Sequence, residues 1–170
     1  MKMFLPDYQK ILTSLIKAKV RYLVAGGIAM NAHGLTRATF DLDLVVFLEK
    51  ENILRFTKMM KKLGYEPRVP VNPDDFADEK IRKQWIESKN MIVFSYRHKQ
   101  NMMDVIDVFA DHPFPFGEMW LAGKKIRLAG NTIHVVGLKH MIKMKQKASR
   151  PKDEMDIRYL SSLLRKRKED

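Results

Sequence analysis

The sequence predicts an α/β fold, a mixed and twisted sheet backed by helices, and three observations predict it. Short apolar runs with strand character alternate with stretches whose apolar residues recur at helical spacing. Two pairs of strand-like runs in the second half, Met91–Tyr96 with Met102–Phe109 and Ile126–Leu128 with Thr132–Val136, are separated by short polar turns and read as hairpins. A chain of 170 residues that is 45% hydrophobic can bury one core of its own. The reading is a single compact unit, residues 1–137 as the main domain and 138–170 as a helical extension packed on it.

The elements follow in order. Pro6–Lys19 reads as an amphipathic helix with Ile11, Leu12, Leu15 and Ile16 on one side. Tyr22–Ala25 is a short buried strand, Gly26-Gly27 follows at once, and Ile28–Ala32 is a helix that Gly34 stops. His33 is assigned to the helix end rather than to a ligand set. The next strand runs from about Leu42 to Leu48, with Asp41 and Asp43 at its head. Glu51–Leu63 is a helix closed by Gly64, and Tyr65–Val69 a short strand. Pro67–Phe76, with three prolines, reads as an edge loop, and Asp78–Lys89 as a polar helix on which Trp85 is a packing anchor rather than a base-stacking platform. His134 alternates with apolar neighbours and is expected to face solvent. The chain ends in two helices broken at Arg150-Pro151, the second with Met155, Tyr159, Leu160, Leu163 and Leu164 as its apolar face, and Arg165–Lys168 as a solvated tail.

One stretch has a chemical layout. Two glycines after a strand let backbone N–H groups approach an anion with no Cβ in the way. Asp41 and Asp43, two apart on an extended strand, project from the same face. Such a pair is costly to desolvate unless a cation joins it, and Mg²⁺ held by carboxylates and substrate phosphates is the usual remedy. The arrangement is a phosphate cradle facing a metal site.

This stretch resembles the nucleotidyltransferase superfamily that includes DNA polymerase β and the tRNA CCA-adding enzymes. The matching residues are Ala25-Gly26-Gly27, a spacer from Ile28 to Phe40, and Asp41-Leu42-Asp43-Leu44. The resemblance implies a polymerase β-type fold with the C-terminal helical pair beside the cleft, a nucleoside triphosphate substrate and a two-metal Mg²⁺ site. It also implies a third carboxylate on a neighbouring strand. Asp104 and Asp107 are the candidates, three apart and so on opposite faces. The segment Ile106-Asp107-Val108-Phe109, followed by Phe116–Trp120, is similar to relatives in a way that favours Asp107, and Asp104 is then expected to face solvent. Minimal bacterial proteins of the AbiEii toxin type are similar again at Thr36–Thr39 and at Lys145, Arg150, Asp153 and Asp156. They imply Arg37, Lys145 and Arg150 as nucleotide-binding residues beside Gly26 and Gly27. An ordinary salt bridge for Arg37 and a helix-dipole role for Asp153 and Asp156 are open alternatives.

Composition bounds the setting. There is no cysteine, so neither disulfides nor thiolate zinc sites are expected, and no histidine pair has zinc spacing. No apolar run approaches the ~20 residues of a membrane span and no signal segment is evident, so a cytoplasmic protein without membrane contact is expected. A net charge of +12 favours polyanionic partners. The acceptor of a transferred nucleotide is left open among RNA or tRNA, a protein and a small molecule. Alternatives to catalysis are a silent nucleotide- or RNA-binding module of the same fold, or a toxin–antitoxin component.

Overall fold

The computed structural model describes residues 7–36 and 38–169, the side chains of 168 and 169 excepted; the expectations for Pro6, Arg37 and Lys168 lie outside the described set. The strands are β1 (Tyr22–Val24), β2 (Asp41–Val46), β3 (Tyr65–Pro67), β4 (Val93–His98), β5 (Asn101–Phe109), β6 (Lys124–Leu128) and β7 (Asn131–Val135). They form one sheet in the order β3-β4-β5-β2-β1-β7-β6. β2 pairs parallel with β5 and β1 parallel with β7, and the other pairings are antiparallel, so the sheet is mixed. The helices are α1 (Tyr8–Lys17), α2 (Gly26–Ala32), α3 (Lys50–Lys62), α4 (Glu79–Lys89), α5 (Phe116–Leu121), α6 (Leu138–Ala148) and α7 (Glu154–Glu169).

Local chemistry explains the boundaries. The Asp7 side chain accepts from Lys10 N at 2.9 Å and caps α1. Glu49 accepts from the amides of Glu51 and Asn52 and caps α3, and Asp78 does the same for α4 with Lys80 and Ile81. Asn52, fully buried, joins α3 to the sheet ends: its Oδ1 accepts from Arg21 N, and its Nδ2 donates to the carbonyls of Arg21 and Phe47. A polar group so deep is tolerated because every hydrogen bond is made.

The sheet has two unlike faces. Leu42, Leu44, Phe94, Tyr96, Ile106 and Val108 are buried on the face covered by helices, where Phe56 of α3 meets the Tyr96 ring edge-on at 5.7 Å. Trp85 of α4 stacks on Phe94 at 5.5 Å, as a packing anchor should. The segment read as an edge loop is different from expectation. Pro73–Ala77 forms a 3₁₀ turn, and Phe76 is fully buried against Phe94 at 4.9 Å. The turn-forming residues were legible, but burial of one aromatic ring drew the segment into the core.

Two more expectations change. His134 lies against the Trp120 ring at 3.7 Å rather than facing solvent, because α5 folds back over β7. Met155 does not join the apolar face of α7: it is exposed, while Asp153 and Asp156 take the inward positions and Leu160 is fully buried. His33 does cap α2, with its Nε2 hydrogen-bonded to Val136 O at 2.8 Å.

Candidate active site

Side chains on the other face of the sheet make the site. The parallel register sets Asp43 directly beside Asp107, and Asp41 beside Val105. Strand alternation puts Asp41, Asp43 and Asp107 on this face together. Asp104 goes to the opposite face. It is buried, not solvent-facing as expected, and its Oδ1 accepts from the Tyr65 hydroxyl at 2.7 Å. Burial and this bond raise the Tyr65 pKa well above the ordinary phenol value. The row continues across the sheet. Ser95 of β4 pairs with Asp107, and its Oγ donates to Asp107 Oδ1 at 2.5 Å. Arg68, just after β3, hydrogen-bonds Ser95 O through its backbone amide at 2.9 Å. Asp43, Asp107, Ser95 and Arg68 thus lie side by side on four successive strand positions.

Gly26 closes over this row. Its φ is +59°, and a Cβ there would fall 1.9 Å from Asp43 Oδ2. Only glycine fits a positive φ and so close an approach. A Cβ on Gly27 would meet Thr39 Oγ1 at 2.6 Å. Ala25 N donates to Asp43 O at 2.8 Å, which fixes the turn on β2.

The electrostatics show strain between like charges. Burial, then Asp107 and Asp41, push Asp43 up to about 6, against the opposing pull of Arg150 and Lys145. Burial and Asp107 also raise Asp41, opposed by Arg68 and Lys152. Tyr8, its hydroxyl 3.4 Å from Thr39 O, is pushed up to about 12 by burial and then by Asp104, Asp41 and Asp43. Among the described residues no side chain donates a hydrogen bond to Asp41 or Asp43.

The C-terminal corner is built in the opposite way. Lys145 Nζ lies 3.0 Å from Asp153 Oδ1 and 2.7 Å from Asp156 Oδ2, and all three side chains are nearly excluded from water. Arg150 Nε reaches Asp153 Oδ2 at 2.7 Å from an exposed position. Burial raises Asp153, but the hydrogen bonds of Arg150 and Lys145 outweigh it and hold the carboxyl below its usual range. Asp153 and Asp156 therefore have ion-pair partners as well as a place in the first turn of the helical segment.

Among the described residues no three carboxylates or imidazoles converge closely enough to cage a metal. The donor set nevertheless suits Mg²⁺. The ion favours hard oxygens, commonly takes one or two carboxylates, and completes its shell with water and substrate phosphates. Asp43 and Asp107, adjacent in register and mutually repelling, supply that minimum.

Sequence reasoning reached Gly26, Gly27, Asp41 and Asp43, and its favoured Asp107 is the candidate that lies beside Asp43. It missed Ser95, Arg68 and Tyr8. The one available signal was Ser95, a lone hydroxyl inside the apolar run Met91–Tyr96.

The chain has the fold of the nucleotidyltransferase superfamily. It superposes on the lincosamide antibiotic adenylyltransferase LnuA, bound to lincomycin, with a TM-score of 0.61, covering 94% of this chain and 98% of that one at 13% identity. ANT(2'')-Ia in complex with adenylyl-2''-tobramycin matches with a TM-score of 0.58 at 15% identity, over 91% of this chain and 86% of that one. An antigenic nucleotidyltransferase-like protein from Paracoccidioides brasiliensis matches at 0.53 and 15% identity, over 91% of this chain and 72% of that one. No protein-family model and no curated protein sequence matches the chain.

Proposed function

We propose that the protein transfers a nucleoside monophosphate from a nucleoside triphosphate to an acceptor hydroxyl, releasing pyrophosphate. The observation that carries this reading is the register of Asp43 beside Asp107 under the Gly26 turn, a pair of like charges to which no described cationic side chain is hydrogen-bonded and which Arg150 and Lys145 offset only in part. In this reading Asp43 and Asp107 would hold Mg²⁺ together with the substrate phosphates, Asp41 joining them from the same face; the ion would offset the triphosphate charge and lower the pKa of the attacking hydroxyl.

The chain's own residues do the positioning. Gly26 and Gly27 let the phosphates approach the backbone. Ser95 fixes Asp107 through Oδ1 and leaves Oδ2 to orient the acceptor hydroxyl and take its proton. The oxygen–phosphorus bond forms in line at the α-phosphorus as the bond to the β-phosphate oxygen breaks. Arg150, exposed beside the cleft, stabilises the charge of the departing pyrophosphate. Lys145, held by Asp153 and Asp156, has its ammonium fixed where its field reaches Asp43. The assignment of Arg37 to phosphate binding is part of the same reading.

The test uses purified protein, Mg²⁺ and each α-labelled triphosphate, with total RNA and cell lysate as acceptors. Label transferred by wild type and not by Asp41→Ala/Asp43→Ala protein establishes the activity. Absence of both transfer and triphosphate binding sinks it. Metal-independent RNA binding that survives both substitutions, with no turnover, would favour a silent binding module.

A further inference from the structure

The acceptor side of the site has a chemical character of its own. Beyond Asp107 the sheet continues to Ser95 and Arg68, and a groove of about 290 Å³ opens there, lined by Arg68, Val69, Met91, Val93, Phe94 and Ser95. Its walls are apolar except for Ser95, which is occupied with Asp107, and Arg68. The Arg68 guanidinium is exposed, and among the described residues it makes no side-chain hydrogen bond or ion pair. It acts only through its field, opposing the rise in Asp41. A guanidinium has five N–H donors in a planar fork suited to phosphate or carboxylate. The four-residue row sets the order of groups along the face: the acidic strand β2, the Ser95-fixed Asp107 on β5, then a cation two strands beyond it at the end of β3.

We infer that the acceptor is an anion: a hydroxyl compound whose attacking oxygen lies at Asp107 and whose phosphate or carboxylate is read by Arg68, rooted two strands further on, with an apolar portion against Val69, Met91 and Val93. This rests on the nucleotidyl-transfer reading and gives it a substrate class. A cationic, amine-rich acceptor is disfavoured, because Arg68 would face it with like charge. Two sources share the required chemistry, a small phosphorylated alcohol and the terminal nucleotide of an RNA, whose ribose hydroxyls sit close to a phosphate. Arg68 acts as a specificity residue and touches neither the triphosphate nor the reacting phosphorus.

The experiment has two arms. In the first, wild type, Arg68→Lys and Arg68→Glu proteins transfer label from an α-labelled triphosphate to glycerol 3-phosphate, a short RNA with a free 3′ hydroxyl, glycerol, and an amine-rich aminoglycoside. Labelling of an anionic acceptor is expected, and whichever of the two is labelled names the source. Arg68→Glu should raise its KM at least tenfold while the triphosphate KM moves less than twofold, and Arg68→Lys should recover part of the loss. Equal or better labelling of glycerol or the aminoglycoside overturns the inference and leaves nucleotidyl transfer standing. So does an acceptor KM indifferent to Arg68→Glu.

The second arm is independent of turnover. Both anionic probes are titrated by calorimetry into the protein loaded with Mg²⁺ and a non-hydrolysable triphosphate. Binding of one of them, at least tenfold weaker in Arg68→Glu, supports the inference, and binding of neither overturns it. Triphosphate binding in the same titrations, lost in Asp43→Asn, reports separately on the catalytic reading.

Discussion

Two clusters of charge lie within reach of each other's fields, and they are built on opposite principles. At the C-terminal corner, Lys145, Arg150, Asp153 and Asp156 alternate in sign and close on one another at 2.7–3.0 Å. On the sheet, Asp41, Asp43 and Asp107 share one sign, and burial, then their proximity, raises the proton affinity of Asp43 and Asp41. The first cluster is electrostatically complete and holds α6 to the start of α7. In the second, no described cationic side chain is hydrogen-bonded to Asp41 or Asp43, which in the proposed function leaves a place for a cation. Perturbed carboxylates of this kind mark sites where a fold keeps charge available for chemistry.

The sharpest way to break the comparison is to remove a member of each cluster. Asp43→Asn is expected to abolish nucleotidyl transfer, by about a thousandfold or more on the scale of lost transition-state charge stabilisation, while leaving the protein folded. Lys145→Met should do the reverse in character. It takes the buried ammonium away from two nearly dry carboxylates, and removing one partner of a buried ion pair costs about 3–5 kcal/mol, read by urea denaturation, with Arg150 still on Asp153 to hold the loss toward the lower end. A stable Lys145→Met protein would show that the corner is not the structural cluster described here.

The two clusters should also answer pH in opposite directions. Asp43 has its folded pKa raised to about 6, so its ionisation opposes folding above that value. As pH falls from 7 through 6 toward 4, wild type should gain stability relative to Asp43→Asn by about 2 kcal/mol, and saturating Mg²⁺ should shrink the difference. Asp153 is held below its usual range. Its contribution is present above the ordinary carboxylate pKa and lost as pH falls below it. Urea titrations of wild type, Asp43→Asn and Asp153→Asn between pH 3 and 7 separate the trends, and parallel curves for the two variants would refute the contrast.

Smaller effects sharpen the picture. Gly26→Ala forces a Cβ onto Asp43 Oδ2 at a positive φ. The strain, on the order of 1–3 kcal/mol, should lower Tm and displace the carboxylate, reducing activity further than the stability loss explains. Arg150→Ala should change stability least, by about 1 kcal/mol or less, because its guanidinium is more than half exposed. Its effect should instead appear as a raised triphosphate KM.

The helices and most strands were legible because their apolar periodicities are local, as is the Gly64 stop after α3; the caps at Asp7, Glu49 and Asp78 came from the structure. The pair Asp41 and Asp43 was legible because two residues on one strand must share a face. Pairing between strands was not. Asp107 lies beside Asp43 through a parallel register that spans more than sixty residues of chain. Sequence alternation could only say that Asp104 and Asp107 part company.

The sequence by itself determined the alternation of elements, the glycine turn and the acidic strand, since each depends on neighbours a few residues away. Only the tertiary structure decided which face Asp104 takes, that Lys145 is spent on Asp153 and Asp156, and that Ser95 and Arg68 extend the carboxylate row. Those are contacts between distant segments, fixed by which surfaces must be buried together and which charges must find partners once they are.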